Sequence, residues 1–238
     1  MLDVRVSDLG RRMAELALEL HDLRGVDATR EQLVAASRDL LPSCTEATLA
    51  VLGSDGSLSN VAATDPRVRR ADELQQVLDE GPALDALRGE ALVHSYDLAA
   101  ESRWPDWASE IAGDLGVRSL LSLRLATQRD EVGVLTLYSD AVGGFGHEER
   151  ESAQVLATHG AVALAAAHDV ERMLDAMTRR TRIGAAMGIV MERFELEETV
   201  AFEVLRRLSQ EQNRKLVDIA DELVREREVD GLGPPRRD

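Results

Sequence analysis

Several features are scarce in this chain of 238 residues, and each scarcity excludes a class of protein. The single cysteine excludes an intramolecular disulfide framework and a cysteine-rich zinc site. The longest uninterrupted apolar run, 161–167, has seven residues, whereas a membrane-spanning helix needs about 20. The N-terminal segment has no apolar core of signal-peptide length, so we expect a cytoplasmic protein.

Positive charge is also scarce, because 28 Lys and Arg oppose 44 Asp and Glu, a net charge of −16. This balance argues against a nucleic-acid partner, since proteins that bind phosphate backbones usually carry a basic surface. The acidity is uneven, however: residues 1–175 have a net charge of −15, whereas residues 179–215 hold 8 basic and 6 acidic side chains. Salt screens charges beyond about 8 Å, so the local charge decides whether a polyanion binds. The total charge therefore does not exclude RNA.

The first three quarters of the chain alternate between helical and strand patterns. Strands are predicted at 48–53, 58–63, 91–94, 118–125 and 132–139, with a hairpin turn at Asp55-Gly56. Helices are predicted at 7–23, 29–41, 66–78, 82–88, 104–115 and from His147 past 178. Thr29 is the predicted N-cap of the second helix, in a capping box with Gln32. This order predicts an α+β domain with one mostly antiparallel sheet and helices on its faces.

The long helix carries a heptad seam of apolar and small residues. Its members are Leu156, Gly160, Ala163, Ala167, Val170, Leu174 and Met177. We expect this seam to form a homodimeric coiled coil, a signalling stalk in which small residues allow two helices to approach closely. The alternative is that the same stripe packs on the sheet of its own domain.

Three further amphipathic segments follow within about 50 residues. Their apolar faces contain Ile183, Ala186, Met187, Val190 and Phe194, then Ala201, Val204, Leu205 and Leu208, then Leu216, Ile219, Ala220, Leu223 and Val224. The links between them are short, and Asn213 is the predicted N-cap of the last helix. Short links force neighbouring helices to fold back on each other, so we expect a three-helix bundle.

These helices contain a set of spaced motifs: Arg180-Thr-Arg-Ile-Gly-Ala-Ala-Met-Gly-Ile-Val-Met-Glu-Arg193, Ala201-Phe202, Leu205, Ser209, Asn213-Arg-Lys-Leu216 and Ile219-Ala220. In these motifs the segment resembles an ANTAR domain. The resemblance implies an RNA-binding domain that binds paired RNA hairpins and thereby prevents a transcription terminator from forming. Ala185 and Met187 stand where the family usually has polar residues, and Glu195 stands where it usually has glycine.

The upstream region contains a second set of motifs: Glu80-Gly-Pro82, Ala86-Leu87, Gly89, Arg103-Trp-Pro105, Gly116-Val-Arg-Ser-Leu-Leu-Ser122, Gly133-Val-Leu-Thr-Leu-Tyr-Ser139 and Phe145. In these motifs it resembles the GAF domain that precedes ANTAR in actinobacterial regulators. The expected fold is α+β: a GAF-like antiparallel sheet with flanking helices, then a long helix leading into an all-α three-helix ANTAR bundle. The expected domains are an N-terminal helix (1–28), a GAF-like sensor (29–168), a stalk (169–178) continuing the helix from 147, an ANTAR domain (179–229) and a disordered tail (230–238).

Lys and Arg contacts to phosphates dominate RNA affinity. The candidate RNA-binding residues are Arg179, Arg180, Arg182, Arg193, Arg206, Arg207, Asn213, Arg214 and Lys215. The alternative is that these charges only solvate helix faces. Phe194 and Phe202 have core-like spacings, so arginine and main-chain groups are expected to read the RNA. Gly184 and Gly188 lie on one helix face, which predicts the close approach of either a neighbouring helix or an RNA backbone. Of these two, we expect the neighbouring helix.

Two candidate features lie in the sensor. Trp104 and Trp107 are three residues apart on one helix face. One interpretation is that they line a ligand cavity, and the interpretation we favour is that they pack in the core. Cys44 is a candidate redox sensor or chromophore attachment point, although a small buried residue is the favoured interpretation.

The sequence thus predicts a GAF sensor that controls an RNA-binding ANTAR domain in transcription antitermination. Its expected partners are paired RNA hairpins, a second copy of the chain and an unidentified small-molecule ligand of the GAF domain, without a membrane, a metal or a cofactor. We expect no enzyme, because no phosphate loop or nucleophile–base pair is present, and the dipeptide His168-Asp169 lacks companion ligands. The alternative function is a sensor and protein-interaction module whose helical domain does not bind RNA.

Overall fold

The computed structural model describes residues 2–23, 25–53, 55–127, 131–226 and 232. Five strands form one antiparallel sheet: β1 (Glu46–Leu52), β2 (Leu58–Ala63), β3 (Leu92–Ser95), β4 (Ser119–Ala126) and β5 (Glu131–Ser139). Their order in the sheet is β2-β1-β5-β4-β3. The register pairs Leu121 with both His94 and Leu137, so the short strand β3 forms one edge of the sheet.

Eight α-helices accompany the sheet within the described ranges. They are α1 (Leu2–Asp22), α2 (Val26–Leu40), α3 (Arg69–Leu78), α4 (Pro82–Arg88), α5 (Pro105–Leu115), α6 (His147–Phe194), α7 (Glu198–Glu211) and α8 (Leu216–Glu226). The chain divides into two units, 1–169 and 170–238. The 48-residue helix α6 contributes residues to both.

Alternation of side chains along the strands gives the first unit two hydrophobic cores. On one face of the sheet, residues such as Leu121 and Leu123 pack against α1, α2 and the first part of α6. On the other face, residues such as Leu120 and Tyr138 pack against α3, α4 and α5. The predicted α+β class with an antiparallel sheet and flanking helices is therefore confirmed.

The predicted coiled-coil seam of α6 divides into a buried and an exposed half. Leu156 is fully buried in the core of the first unit, and a Cβ added to Gly160 would lie 2.6 Å from the Leu33 side chain of α2. Gly160 therefore allows α2, rather than a second copy, to approach α6 closely. In the second unit the seam residues Val170 and Met177 are exposed.

Two predicted helix caps are wrong. Helix α2 begins at Val26 after Gly25, and the Thr29 hydroxyl donates to the Gly25 carbonyl at 3.1 Å from inside the helix. Asn213 has φ 51°, a left-handed conformation in the turn after α7. Asparagine tolerates this conformation better than most residues, which explains its position there. Of the predicted tail, only Leu232 is described, and it is buried in the core of the second unit.

Candidate nucleic-acid interface

The second unit is a bundle formed by α7, α8 and the C-terminal part of α6. Its buried core contains Ala186, Val190, Ala201, Leu205, Leu208, Ile219, Ala220, Leu223 and Leu232. Glu195, which stands where the family usually has glycine, has φ 53° in the link between α6 and α7. A left-handed residue is required at that link, and glycine adopts this conformation at less cost than glutamate. The ANTAR-like pattern therefore specifies the turns of the bundle as well as its core.

Four of the candidate RNA-binding arginines form ion pairs within the bundle. Their partners are Asp221 for Arg182 (2.8 Å), Glu203 for Arg206 (2.6 Å), Glu211 for Arg207 (3.4 Å) and Glu222 for Arg214 (2.6 Å). All four arginine side chains remain at least 40% exposed. Exposed ion pairs contribute only about 0–1 kcal/mol, so a phosphate can displace the carboxylate.

Three other candidates, Arg179, Arg180 and Lys215, are exposed on the bundle. Arg179 and Arg180 lie on α6, and Lys215 directly precedes α8. None of the three has a salt bridge or side-chain hydrogen bond to another described residue. These cations can meet a phosphate without first breaking an ion pair.

The last two candidate RNA-binding residues, Arg193 and Asn213, lie near the ends of α6 and α7, and the two phenylalanines of the bundle differ in exposure. The Arg193 guanidinium lies 5.8 Å from the centre of the Phe194 ring, and Asn213 is exposed in its left-handed turn. Phe194 is partly buried against the bundle core, as its spacing predicts. Phe202 differs, because 37% of it is exposed on the outer side of α7. The core-like interpretation of Phe202 is therefore wrong, because more than a third of this residue is exposed to solvent.

Gly184 and Gly188 are exposed, and a Cβ added to either would meet no described atom within 4 Å. The expected close contact with a neighbouring helix of the same chain is therefore wrong among the described residues. Because glycine costs helix stability by about 1 kcal/mol relative to alanine, an open face with two glycines is not explained by packing inside the bundle.

A cleft of about 270 Å³ lies between α6 and α8 of the bundle. It is lined by Asp175, Thr178, Arg179, Arg182, Val217 and Asp221. The sequence motifs point to the two arginines but not to Asp175, Thr178 or Asp221. The helical spacing of Asp175, Thr178, Arg179 and Arg182 at steps of three and four places them on one face, and that signal is present in the sequence.

In the sensor unit, both tryptophans lie in the core on the α5 side of the sheet. Their rings form a T-shaped contact with centroids 5.9 Å apart. The Trp104 indole donates to Asp85 at 2.8 Å, and the Trp107 indole donates to the Ala71 carbonyl at 2.8 Å. Both are buried with satisfied N–H groups, an arrangement that packing alone explains, so a ligand role for them stays a prediction.

Cys44 has surroundings that suppress thiol chemistry. It is only 6% exposed, and its Sγ donates to the Glu46 carbonyl at 3.3 Å. Burial raises the pKa of the Cys44 thiol to about 12. Since the thiolate is the reactive form, Cys44 is a structural residue rather than a redox sensor.

The sensor also has an open cleft of about 840 Å³ on the α2 side of the sheet. Arg38, Arg69, Glu46 and Thr64 are among its lining residues, and Arg38 lies 3.8 Å from Glu46. Over the described ranges, no cluster of three or more His, Cys, Asp and Glu side chains is arranged to hold a metal ion. None of the helices in the same ranges is long and apolar enough to span a membrane.

Two family models match the chain. Residues 24–165 match the GAF domain, and residues 171–224 match the ANTAR domain. No curated protein matches the chain significantly.

Three solved structures have a similar fold and are distant in sequence. The GAF domain of an Acinetobacter phosphoenolpyruvate-protein phosphotransferase is 15% identical, with a TM-score of 0.54, over 69% of this chain and 97% of that one. The corresponding GAF domain from Coxiella burnetii is 16% identical, with a TM-score of 0.53, over 69% and 96%. The photosensory core module of a Stigmatella aurantiaca phytochrome is 15% identical, with a TM-score of 0.58, over 87% and 45%. At these identities the likeness concerns the fold alone.

Proposed function

The chain belongs to the GAF domain family and carries an ANTAR domain after it, and on this basis we propose that it is an RNA-binding regulator of transcription antitermination. GAF and ANTAR domains are sensor and regulatory domains, so the proposal includes no catalytic step. In this function the bundle binds paired hairpins of a nascent transcript in the cytoplasm, and the GAF domain controls that binding. A GAF ligand can exert control only if it binds two conformations with different affinity.

The observation that carries the proposal is the set of unpaired cations on the ANTAR helices. Arg179, Arg180 and Lys215 have no carboxylate partner among the described residues, although the chain is strongly acidic overall. Each is available to contact a phosphate, and phosphate contacts supply most of the affinity of a protein for RNA. The exposed ring of Phe202 adds a surface on which an unpaired loop base can stack.

A double substitution tests this assignment. Arg180→Ala with Lys215→Glu removes two of the unpaired cations from exposed positions, so the fold should persist with an unchanged melting temperature. The affinity for a two-hairpin transcript, measured by gel shift, should fall far below that of the wild type. The slope of log affinity against log salt should also become shallower by about one for each lost phosphate contact.

The matched control places the same change of charge on the sensor. Arg67→Glu with Arg69→Ala alters two exposed arginines of the first unit. If the bundle binds the hairpins, this control should retain most of the affinity. Equal affinities for the wild type and the Arg180/Lys215 variant would overturn the site assignment.

We also propose that the chain acts as a homodimer through α6. The second unit exposes Val170, Met173, Leu174 and Met177 along this helix, with Met173 66% exposed. An apolar stripe of this kind at heptad-like spacing is typical of a coiled-coil seam. Sedimentation should give a dimer for the wild type and a monomer for Met173→Glu, whereas Leu18→Glu, also at an exposed apolar position, should remain dimeric. A wild-type monomer would contradict the stalk.

The second candidate function is a sensor and protein-interaction module without RNA binding. Its support is the engagement of four bundle arginines with carboxylates, together with Ala185 exposed where the family usually has a polar residue. Under this alternative, paired hairpins and a scrambled transcript would bind equally weakly. The gel shift with both RNAs therefore separates the two functions.

A further inference from the structure

The cleft between α6 and α8 contains two charged groups without partners. Asp175 and Arg179 line it, and neither has a hydrogen bond or an ion pair with another described residue. Arg182 and Asp221, also in the lining, bond to each other across the two helices at 2.8 Å. The cleft therefore offers one free carboxylate and one free guanidinium within the same small volume.

The other lining groups add one hydroxyl and one apolar side chain to the cleft. Thr178 contributes a hydroxyl that can both donate and accept, and Val217 is a partly buried apolar residue. The volume of about 270 Å³ is below the range of about 300–1,000 Å³ that is typical of pockets for drug-sized ligands. A single base fits such a space better than a longer nucleotide segment.

The free carboxylate selects among the possible occupants. The lining holds two carboxylates, Asp175 and Asp221, and two guanidinium groups, so it has no net charge to favour a phosphate group. Among the four RNA bases, only guanine presents two adjacent donors, N1–H and the N2 amino group, to a carboxylate. Adenine and cytosine offer an amino group beside an acceptor nitrogen, and uracil offers one N–H between two carbonyls.

The free guanidinium makes the same selection from the neighbouring edge of the base. Guanine carries two acceptors, O6 and N7, and a bidentate arginine is their most common specific partner. Unpaired bases in RNA loops are read on these two edges, since they are no longer occupied by pairing. One carboxylate and one guanidinium in a single cleft thus match the donor edge and the acceptor edge of one guanine.

We propose that this cleft binds one unpaired guanine of the target RNA, with Asp175 accepting from N1–H and N2 and Arg179 donating to O6 and N7. The inference rests on the proposed RNA-binding function and adds a base specificity to it. The Arg182–Asp221 pair closes the cleft beside the base and ties α8 to α6.

The cleft stays accessible if α6 also pairs with a second copy. At 3.6 residues per turn, Asp175 and Arg182 lie roughly half a turn around α6 from Met173 and Met177. The exposed apolar stripe and the charged residues of the cleft therefore face different sides of the helix, and Thr178 lies between them, one turn after Leu174. A dimer formed through the stripe would present one cleft on each chain.

Selection from a hairpin pool tests the proposal with the full chain. The probe is a two-hairpin RNA with randomised loops, and the bound fraction is sequenced for the wild type and for Asp175→Asn. We expect the wild type to enrich guanine at one loop position, and Asp175→Asn to bind the pool but lose this preference. Replacing the enriched guanine with inosine, which lacks the N2 amino group, should weaken wild-type binding by roughly 5- to 150-fold.

The control variant is Asp218→Asn, which removes the same charge from an exposed position of α8 outside the cleft. Asp218→Asn should keep the guanine preference. Comparison of the two variants therefore separates a general gain in RNA affinity, caused by the lost negative charge, from a loss of base specificity. An unchanged guanine preference in Asp175→Asn would overturn the proposal while leaving RNA binding intact.

A second measurement separates failure of the cleft from failure of the proposed function. In NMR titrations of the full chain, 5′-GMP should shift the amide signals of Thr178 and Val217 more than 5′-AMP, 5′-CMP or 5′-UMP does. If the wild type binds no RNA from the pool, the RNA-binding function fails. Equal shifts with all four mononucleotides would then overturn the guanine cleft as well.

Discussion

The buried carboxyl of Asp72 should make the stability of the sensor unit depend on pH. Asp72 lies on α3 without exposed surface, and the Asn60 amide of β2 donates to it at 2.7 Å. Gln75, one turn along α3, donates to the same carboxyl at 3.2 Å. Burial raises the pKa of Asp72 from 3.8 to about 6, although hydrogen bonds from Asn60 and Thr48 oppose this change.

The direction of the pKa change fixes the sign of the effect. The unfolded chain loses the Asp72 proton near pH 4, whereas the folded chain keeps it up to about pH 6. The contribution of Asp72 to stability is therefore present at low pH and is lost as the pH rises through 6. At about 1.4 kcal/mol for each pKa unit, the full contribution is about 3 kcal/mol, and about 2 kcal/mol of it is lost between pH 4 and pH 7, because the unfolded chain is already partly deprotonated at pH 4.

Urea unfolding of the wild type and of Asp72→Asn at several pH values measures this contribution. Tryptophan fluorescence reports the sensor unit, because both tryptophans of the chain lie there. Relative to the variant, the wild type should lose about 2 kcal/mol of unfolding free energy over this pH range. Glu73→Gln removes a carboxylate from the exposed side of the same helix but keeps Asp72, so it should lose stability over this pH range as the wild type does. A difference between wild type and Asp72→Asn that does not change with pH would refute the reasoning.

Four further predictions concern single positions. Gly160→Ala should lower the melting temperature because its Cβ meets the buried Leu33 side chain, an overpacking that costs about 1–3 kcal/mol, whereas Gly184→Ala, in open space, should raise helix stability by up to about 1 kcal/mol. Cys44 should react with a thiol reagent in urea but not in the native protein; rapid native labelling would contradict its burial and raised pKa. Phe202→Ala should leave the fold intact but weaken hairpin binding by about 1–3 kcal/mol, measured by gel shift, if a loop base stacks on the ring.

The sheet and the bundle could be predicted from the sequence because their patterns are local. Alternation in the strands and the three- and four-residue apolar steps in α7 and α8 depend only on neighbouring residues. The surroundings of α6 depend on long-range contacts instead. Leu156 and Met177 continue one heptad pattern, yet Leu156 is buried in the sensor core and Met177 is exposed. The periodicity predicts the helix correctly. It does not encode what each half of the helix packs against, because that depends on long-range contacts such as the approach of Leu33 to Gly160.

The candidate interface was predicted only in part for a similar reason. Residue type and family pattern identified the basic residues, but the ion pair of Arg182 with Asp221 joins positions 39 apart on different helices. The sequence alone therefore does not show that Arg180 and Lys215 remain unpaired. That result depends on how α8 packs against α6. The burial expected for Phe202 was wrong because a hydrophobic residue beside a core position does not itself have to be buried.

The central claim is that the bundle binds paired RNA hairpins despite the net charge of −16. Its most direct test is a gel-shift titration of the full chain with a two-hairpin transcript and a scrambled control, repeated at several salt concentrations. We expect tighter binding of the two-hairpin transcript and a negative slope of log affinity against log salt, as phosphate contacts require. Equal affinity for both RNAs, without salt dependence, would contradict the account.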